Sequence, residues 1–371
     1  MSTIVVAGAL ANKAGNGGAA WVRLSYLMGF RKLGFDVAFV EQIDRARYTD
    51  QAGDYFDETL ERFGLDRVSL LVDGEGVVIR GPGDIDPISL AGDAELLVNV
   101  GGNLRVRELL RRFRRKAFVD LDPGFTQLWA SNGLEIGLAG HDVYFTIGEN
   151  IARESPLPTL GIDWLVTRPP VVLDEWPVAA ADSTRFTTVG SWRGPYGPLS
   201  WSGKTLGQKA HEFRKFLELP GRTGESFELA LGIDAADRAD RDVLEAHGWL
   251  IVDPRRLVVT PDAFRMYVQG SGCEFSVAQG IYVETQGGWV SDRTARYLAS
   301  GKPALVQDTG SSLQRRGEGL LTFRTIEEAV AGVREIVGNR DRHARAARTL
   351  AESLFDSDLV LGRLLVESGI D

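Results

Sequence analysis

Short apolar runs alternate with helix-length amphipathic segments along most of this chain, and this alternation restricts its fold more than any other feature. The first run, TIVVAGAL, is apolar on both faces and predicts a buried parallel strand. The loop ANKAGNGG, a helix that ends near Gly34 and the strand DVAFVEQI complete a β-loop-α-β unit. Repeated units of this kind predict an α/β fold in which helices cover both faces of a parallel sheet.

A proline-rich stretch interrupts the alternation and indicates two domains. Residues 152–183 carry five prolines and no helical period, and 371 residues exceed what one core usually supports. We predict an N-terminal domain over residues 1–165, a linker over 166–183 and a second domain over 184–345. The C-terminal helix, 346–371, is expected to pack back on the first domain. Both domains are expected to be doubly wound (Rossmann-like) and to face each other across a central cleft.

Composition excludes several classes of protein. The net charge of −9 and the pI near 5.2 disfavour nucleic acid as the main partner, because neutralising phosphates requires a basic face. One basic run, RVRELLRRFRRK, has a helical apolar stripe that favours a solvated helix face over an anion site. The four histidines have no i, i+4 spacing, so no metal site is expected. The single Cys273 and the lack of signal-peptide or membrane-spanning patterns predict a cytoplasmic protein with no integral membrane segment.

Three glycine-containing loops follow predicted strands, where doubly wound sheets bind their ligands. The first, GNGG, places Gly17 and Gly18 at the start of a helix as candidate ligand contacts. Its spacing differs from the dinucleotide fingerprint, and Glu41 matches the acidic residue of that fingerprint only loosely. A tight turn with no ligand is an equally good interpretation.

The second loop, GSWRG, ends the first strand of the second half. Its backbone N–H groups, Ser191 and Arg193 are candidate phosphate contacts, which Lys204 and Lys209 could assist. The alternative is a loop whose arginine is merely solvated.

The third loop lies in GGWVSDRTARYLASGKPALVQDTG. Gly287 and Gly288 allow a close backbone approach, and Ser291 is the predicted N-cap of a helix whose free N–H groups favour a phosphate. Arg293 in the first turn is a further candidate contact. Asp292 opposes an anion there, although it can pair with the residue at i+4, Arg296.

Asp308 and Thr309 follow the next strand, near the same helix start. A carboxylate at this position suits sugar hydroxyls, and phosphate donors beside a hydroxyl acceptor describe a nucleotide-sugar site. The alternative is an Asx-type turn with no ligand.

The segment GGWVSDRTARYLASGKPALV resembles the donor-binding segment of GT-B glycosyltransferases, with its Gly-Gly, short helix, Gly-x-Pro and apolar strand. GSWRG and GNGG look like the donor-side and acceptor-side loops of that superfamily. YFTIGENI, RPPVVLDEW and HEFRKFLELP are similar to an uncharacterised bacterial group of glycosyltransferases. The resemblance implies two Rossmann-like domains in a GT-B arrangement. Two positions depart from it: Arg296 stands where a ribose-binding glutamate is usual, and NKAGNGG lacks the general base of many inverting members.

Candidates for a general base lie at strand ends of the first half. Asp122, in the loop before a Pro-Gly pair, is the first choice, and Glu149 in TIGEN is the second. Asp120 and His141 are further candidates. A retaining enzyme would need no such base.

Taken with the resemblance, the sequence predicts a metal-independent glycosyltransferase of the hexosyltransferase type. It would transfer a sugar from a nucleotide diphosphate sugar, bound as co-substrate with no cofactor, to a hydroxyl or amine of a small-molecule or glycan acceptor. A nucleotide-sugar epimerase or hydrolase of the same fold, or a non-catalytic nucleotide-sugar-binding protein, remains an open alternative.

Overall fold

The computed structural model describes residues 2–151, 153, 155–194, 197, 199–315 and 317–370. These residues form two compact units. Unit 1 comprises residues 1–147, 158–172 and 355–371, and unit 2 comprises residues 148–157 and 173–354.

Unit 1 is built on a sheet of eight strands among the described residues, in the spatial order β4-β3-β2-β1-β5-β6-β7-β8. Neighbouring strands are parallel except for the antiparallel pair of β3 and β4. The order reverses between β1 and β5, which makes this unit doubly wound. The strands are β1 (Thr3–Ala7), β2 (Asp36–Gln42), β3 (Ser69–Val72), β4 (Val78–Arg80), β5 (Leu96–Val100), β6 (Lys116–Asp120), β7 (Val143–Thr146) and β8 (Trp164–Val166).

The helices of unit 1 begin with α1 directly after the first glycine loop. They are α1 (Gly17–Lys32), α2 (Asp50–Arg62), α3 (Pro87–Asp93), α4 (Arg107–Leu110) and α5 (Phe125–Ser131). The basic run 105–116 contains only the four-residue α4, shorter than the helix expected from its apolar stripe. Its apolar residues Leu109 and Phe113 are nevertheless buried.

Unit 2 contains a six-stranded parallel sheet in the order β13-β12-β9-β14-β15-β16 and a separate hairpin of β10 and β11. The order reverses between β9 and β14. The strands are β9 (Phe186–Ser191), β10 (Leu199–Trp201), β11 (Lys204–Leu206), β12 (Phe227–Gly232), β13 (Trp249–Val252), β14 (Cys273–Ser276), β15 (Ala304–Gln307) and β16 (Leu320–Phe323).

The helices of unit 2 cover this sheet. They are α6 (Lys209–Phe213), α7 (Leu219–Thr223), α8 (Arg238–Ala246), α9 (Pro254–Leu257), α10 (Pro261–Gly270), α11 (Gly280–Thr285), α12 (Asp292–Ala299), α13 (Ile326–Gly338) and α14 (Arg340–Leu354). An aromatic core fixes the sheet to its helices, with Phe275 and Phe323 stacked at a centroid distance of 5.1 Å.

The last helix, α15 (Ser357–Glu367), belongs to unit 1, where it packs against α1. The approach is close because position 29 is glycine: a Cβ there would lie 2.4 Å from Leu361 Cδ1. A side chain at position 29 would therefore require Leu361 to move.

The unit boundaries differ in detail from those expected from the sequence. Residues 148–157 lie in unit 2, where Asn150 N donates to Gly287 O at 3.0 Å. Strand β8 pairs with β7 and extends unit 1 to residue 172. The C-terminal part of unit 1 begins at Phe355 and not at residue 346, because α14 packs on α12 of unit 2.

Candidate functional site

Arg293 lies at the point of unit 2 where the strand order reverses, between β9 and β14. Its Nη1 donates to Val189 O at 2.6 Å, its Nη2 to Ser276 Oγ at 2.6 Å, and its Nε to Glu274 Oε1 at 2.7 Å. Glu274 is fully buried in β14. Arg293 therefore joins the carboxyl ends of the two strands between which doubly wound sheets bind ligands.

Lys209, the first residue of α6, brings a second cation to the same place. A Cβ added at Gly190 in β9 would lie 3.0 Å from Lys209 Nζ and 4.0 Å from Arg293 Nη1. The Lys209 amine forms no hydrogen bond or ion pair with any described residue. Burial and the neighbouring charge of Arg293 lower the pKa of Lys209 from 10.5 to about 7. The Lys209 amine thus lies at the switch point between the charges of Arg293 and Glu274, without a hydrogen bond to a described residue.

The start of α12 adjoins this pair of cations. Ser291 is the N-cap, as the sequence predicted, and its Oγ accepts a hydrogen bond from Arg293 N at 3.2 Å. A small pocket opens beside it within unit 2. The pocket is lined by Ser276, Ala278, Trp289, Val290, Ser291, Thr294, Val306, Gln307 and Thr309.

The acidic first residue of α12 is neutralised from within the helix. Arg296 Nη1 donates to Asp292 Oδ2 at 2.7 Å and to Asp292 O at 2.7 Å. Arg296 is buried and lies over the Trp176 ring, 5.8 Å from its centroid. The i, i+4 pairing predicted from the sequence is thus confirmed, and it offsets the negative charge that opposed an anion at this helix start.

Gly287 and Gly288 contact the protein's own chain. Gly288 has a φ of +79°, and a Cβ there would lie 2.8 Å from Glu149 Cβ and 3.0 Å from Glu149 N. Asn150 N donates to Gly287 O at 3.0 Å. The close backbone approach expected at these glycines is therefore made by residues 149–150.

Asp308 forms an Asx-type turn, which was the alternative to a sugar contact in the sequence analysis. Its Oδ1 accepts from Gly310 N at 2.8 Å, and its Oδ2 is paired with Arg324. Both oxygens have partners within unit 2. Thr309 is buried, accepts from Gly288 N through its carbonyl oxygen at 2.8 Å, and lines the pocket beside Ser291.

The guanidinium group of Arg193, a predicted phosphate contact, is hydrogen-bonded to other side chains of the protein. Its Nε and Nη2 donate to the two oxygens of Asp237 at 2.7 and 2.8 Å, and its Nη1 donates to Gln208 Oε1 at 3.2 Å. Gln208 precedes Lys209, so Arg193 positions the lysine by fixing its neighbour. Ser191 ends β9 and is exposed.

Glu149 is engaged within unit 2. Its Oε2 accepts from Ser311 Oγ at 2.8 Å and from Ser312 N at 3.0 Å, and its Oε1 accepts from Ser312 Oγ. The side chain is buried. These hydrogen bonds hold Glu149 against the loop after β15, so its carboxylate positions that loop.

Asp122 and Asp120 have opposite environments in unit 1. Asp120 is buried and accepts from Thr126 Oγ1, Thr146 Oγ1, Gln127 Nε2 and Asp122 N at 2.6 to 3.0 Å. Burial raises the pKa of Asp120. Asp122 follows it on the loop after β6 and is exposed. Asp120 therefore fixes the loop on which Asp122 is presented.

The first glycine loop is organised by two side chains. Gly17 and Gly18 are the first residues of α1, and the Asn16 side chain caps them by accepting a backbone N–H at 2.9 Å. Glu41 accepts four hydrogen bonds from residues 10–12, so its carboxylate closes this loop.

His141 belongs to the core of unit 1. Its Nε2 lies 3.1 Å from Asn99 Nδ2 and its Nδ1 3.2 Å from Leu138 O, which indicates a neutral ring with the proton on Nδ1. Burial lowers the pKa of His141.

The sequence pattern did not single out Glu274, and it predicted only an assisting phosphate contact for Lys209. A charged residue inside the apolar run CEFSV was the available signal for Glu274, because an ionised side chain in a buried strand requires a partner. Among the described residues, no three His, Cys, Asp or Glu side chains group into a possible metal site. No helix in the described part of the chain has the length and apolarity needed to cross a membrane.

No protein-family model matches the chain, and neither does any curated protein. Solved structures do match it along its whole length. An alpha-glucosyltransferase (AGT) in complex with UDP is 14% identical, with a TM-score of 0.64 and 100% of each chain covered. Anabaena Alr3699/HepE in complex with UDP-glucose is 11% identical, with a TM-score of 0.61 and 99% of each chain covered. S. aureus TarM, in complex with UDP and glycan ligands, is 7% identical, with a TM-score of 0.61 and 99% of this chain and 100% of TarM covered.

At these identities the likeness shows the fold. The chain has the α/β GT-B fold, with two Rossmann-like domains, and the expected fold class is confirmed.

Proposed function

We propose that this protein is a glycosyltransferase that binds a nucleoside diphosphate sugar in unit 2 and transfers the sugar to an acceptor hydroxyl or amine. The observation that carries this proposal is the Lys209 amine beside Arg293 at the strand-order reversal of unit 2, which forms no hydrogen bond with a described residue. A ligand diphosphate is the counter-ion that such a position suits, since lysine binds phosphate as a point charge.

The start of α12 supplies the rest of the donor site. Free N–H groups at a helix N-terminus stabilise phosphate oxygens, and Arg296 offsets the charge of Asp292 next to them. The leaving diphosphate is thereby stabilised by Lys209 and the helix start, and this scheme requires no metal ion. The known structures with this fold that were solved with UDP or UDP-glucose support UDP as the first nucleotide to test.

Asp292 is the residue we assign to the donor's hydroxyl groups, in place of Asp308. Both oxygens of Asp308 are already paired, whereas Asp292 Oδ1 has no hydrogen-bond partner among the described residues. Arg296 holds Asp292 Oδ2 and so fixes the orientation of the carboxylate. Thr309 and Ser291, which line the adjacent pocket, are the neutral donors and acceptors of this site.

Asp122 is the carboxylate we assign to the acceptor. It is exposed on a loop that buried Asp120 fixes at the carboxyl end of β6, whereas Glu149 is buried. An exposed carboxylate at a strand end can accept the proton of an attacking hydroxyl. We place the reaction in the cytoplasm, where the single cysteine stays reduced.

Calorimetric titration of UDP into Lys209→Ala and Lys204→Ala variants tests the donor site. Lys204 is a matched control, because it is an exposed lysine of the β10–β11 hairpin with a long 3.8 Å ion pair to Glu284. Loss of a charge-assisted phosphate contact should weaken UDP binding roughly 10- to 100-fold in the first variant and leave the second unchanged.

Equal affinities in all three proteins, or no binding of any nucleoside diphosphate by the wild type, would refute the proposal. Release of free sugar or an epimer from a UDP-sugar without acceptor would instead assign hydrolase or epimerase activity to the site.

A further inference from the structure

Residues 105–116 of unit 1, between β5 and β6, carry seven cations and one carboxylate in a chain whose net charge is −9. Buried Leu109 and Phe113 hold this segment against the sheet. The segment therefore presents a fixed cluster of positive charge on a face of unit 1.

Four of the cations have partners inside the unit. Arg105 donates to Gly102 O at 3.0 Å, Arg115 donates to Ser368 O at 2.9 Å, and Lys116 lies 3.3 Å from an Asp142 carboxylate oxygen. The fourth, Arg112, pairs with Glu108, the only carboxylate of the segment.

Three arginines remain: Arg107, Arg111 and Arg114. All three are exposed, and their guanidinium groups form no hydrogen bond or ion pair with any described residue. The three arginines are four and three residues apart along the segment between β5 and β6. Their positive charges are therefore spread over the surface of this segment and are not gathered at one point. A flat anionic partner suits this distribution better than a small ligand does.

Two exposed valines follow a glycine that is packed on this segment. Gly76, in the turn before β4, is packed on the segment, since a Cβ there would lie 3.2 Å from Val106 Cγ1. The next two residues, Val77 and Val78, are 50% and 37% exposed. Glu75 is exposed on the same turn. We call Arg107, Arg111, Arg114, Val77 and Val78 the arginine surface.

We propose that the arginine surface docks this protein on an anionic lipid membrane. Exposed arginines are attracted by the negative headgroups of such a membrane, and exposed valines on the adjoining turn can enter the boundary between its headgroups and acyl chains. A nucleic acid would be attracted by the arginines but would gain nothing from the valines, and the remaining negative charge of the protein would repel a long polyanion. The inference does not depend on nucleotide-sugar binding.

Cosedimentation with phosphatidylcholine vesicles, with and without about one third phosphatidylserine, tests the proposal. The test variant is Arg107→Gln/Arg111→Gln/Arg114→Gln. The control is Arg238→Gln/Arg334→Gln/Arg345→Gln, which removes the same charge from exposed arginines of unit 2 that form no hydrogen bond or ion pair with a described residue. UDP titration of each variant reports whether unit 2 is unaffected.

The wild type and the control should bind anionic vesicles and not neutral ones, and the test variant should lose roughly 100-fold in partition, at about fivefold per arginine. Val77→Ser/Val78→Ser should weaken vesicle binding with all arginines present. Failure of the wild type to bind, or an equal loss in both triple variants, overturns the proposal. Equally strong binding to duplex DNA that only the test variant loses assigns the surface to nucleic acid and also overturns it.

Discussion

Arg296 Nη1 lies 2.7 Å from Asp292 Oδ2, one turn apart on α12, and the arginine is almost completely buried. A buried guanidinium thus holds a half-exposed carboxylate at the start of a helix. Asp292 by itself opposes an anion, and Arg296 stands where a ribose-binding glutamate is usual, but the two form one fixed pair. The other carboxylate oxygen of Asp292 has no hydrogen-bond partner among the described residues.

Asp292→Asn discriminates between two roles of this carboxylate. If it accepts hydrogen bonds from the donor's hydroxyls, the variant should bind UDP about tenfold more weakly, whereas its affinity for inorganic pyrophosphate should not fall. Calorimetry with both ligands measures the two affinities. Tighter UDP binding by the variant would show that Asp292 only repels the diphosphate.

Arg293→Ala should destabilise the fold strongly, because it leaves the Glu274 carboxylate buried without its cation. Breaking a buried ion pair in this way costs about 3–5 kcal/mol. Urea unfolding measures the loss of stability. The double variant Arg293→Met/Glu274→Gln removes both charges and should recover most of it; equal destabilisation of the single and double variants contradicts this role.

UDP binding should weaken as pH rises above about 7. Lys209, which faces Arg293 and Glu274, has a pKa of about 7 in the free protein and loses its proton as pH rises through that value. A bound diphosphate stabilises the ammonium and raises this pKa, so binding above pH 7 takes up a proton. Calorimetry in buffers of different ionisation enthalpy measures that uptake.

Lys209→Arg is the control for this pH dependence, because arginine stays protonated throughout the range. Its UDP affinity should be flat where the wild-type affinity falls. The same slope in both proteins would assign the pH dependence to another group.

Gly288→Ala should destabilise unit 2, while Gly287→Ala should be tolerated. Gly288 has a φ of +79° and a Cβ there would lie 2.8 Å from Glu149 Cβ, whereas the nearest atom to a Cβ at Gly287 is at 3.6 Å. Strain at a left-handed position costs about 1–3 kcal/mol. Thermal unfolding of the two variants checks the difference, and equal melting temperatures would contradict it.

Asp122→Asn should reduce turnover with UDP affinity and stability unchanged, because Asp122 is exposed on its loop. Removal of a general base lowers the rate by roughly 100-fold or more. Asp120→Asn is the contrasting variant: it disturbs a buried carboxylate with four donors and should lower the melting temperature. Full activity of Asp122→Asn would exclude Asp122 as the base.

The strand and helix pattern was available in the sequence because it depends on local periodicity and on helix-terminal residues. The individual strands and helices, the Ser291 N-cap and the pairing of Asp292 with Arg296 follow from residues at most a few positions apart. The Asx-type turn at Asp308 was foreseen as an alternative for the same reason.

The partners of the other charged groups depend on contacts between distant parts of the chain. Arg193 is 44 residues from Asp237, Arg293 is 104 residues from Val189, and Glu149 is 162 residues from Ser311. No local pattern encodes these pairs, since they form only when the strands are ordered in space. The sequence by itself determined the alternation of strands and helices and the Ser291 N-cap, because both depend on local pattern. The tertiary structure decided that Arg193 and Arg293 have protein partners and that the Lys209 amine has no hydrogen bond to a described residue at the switch point.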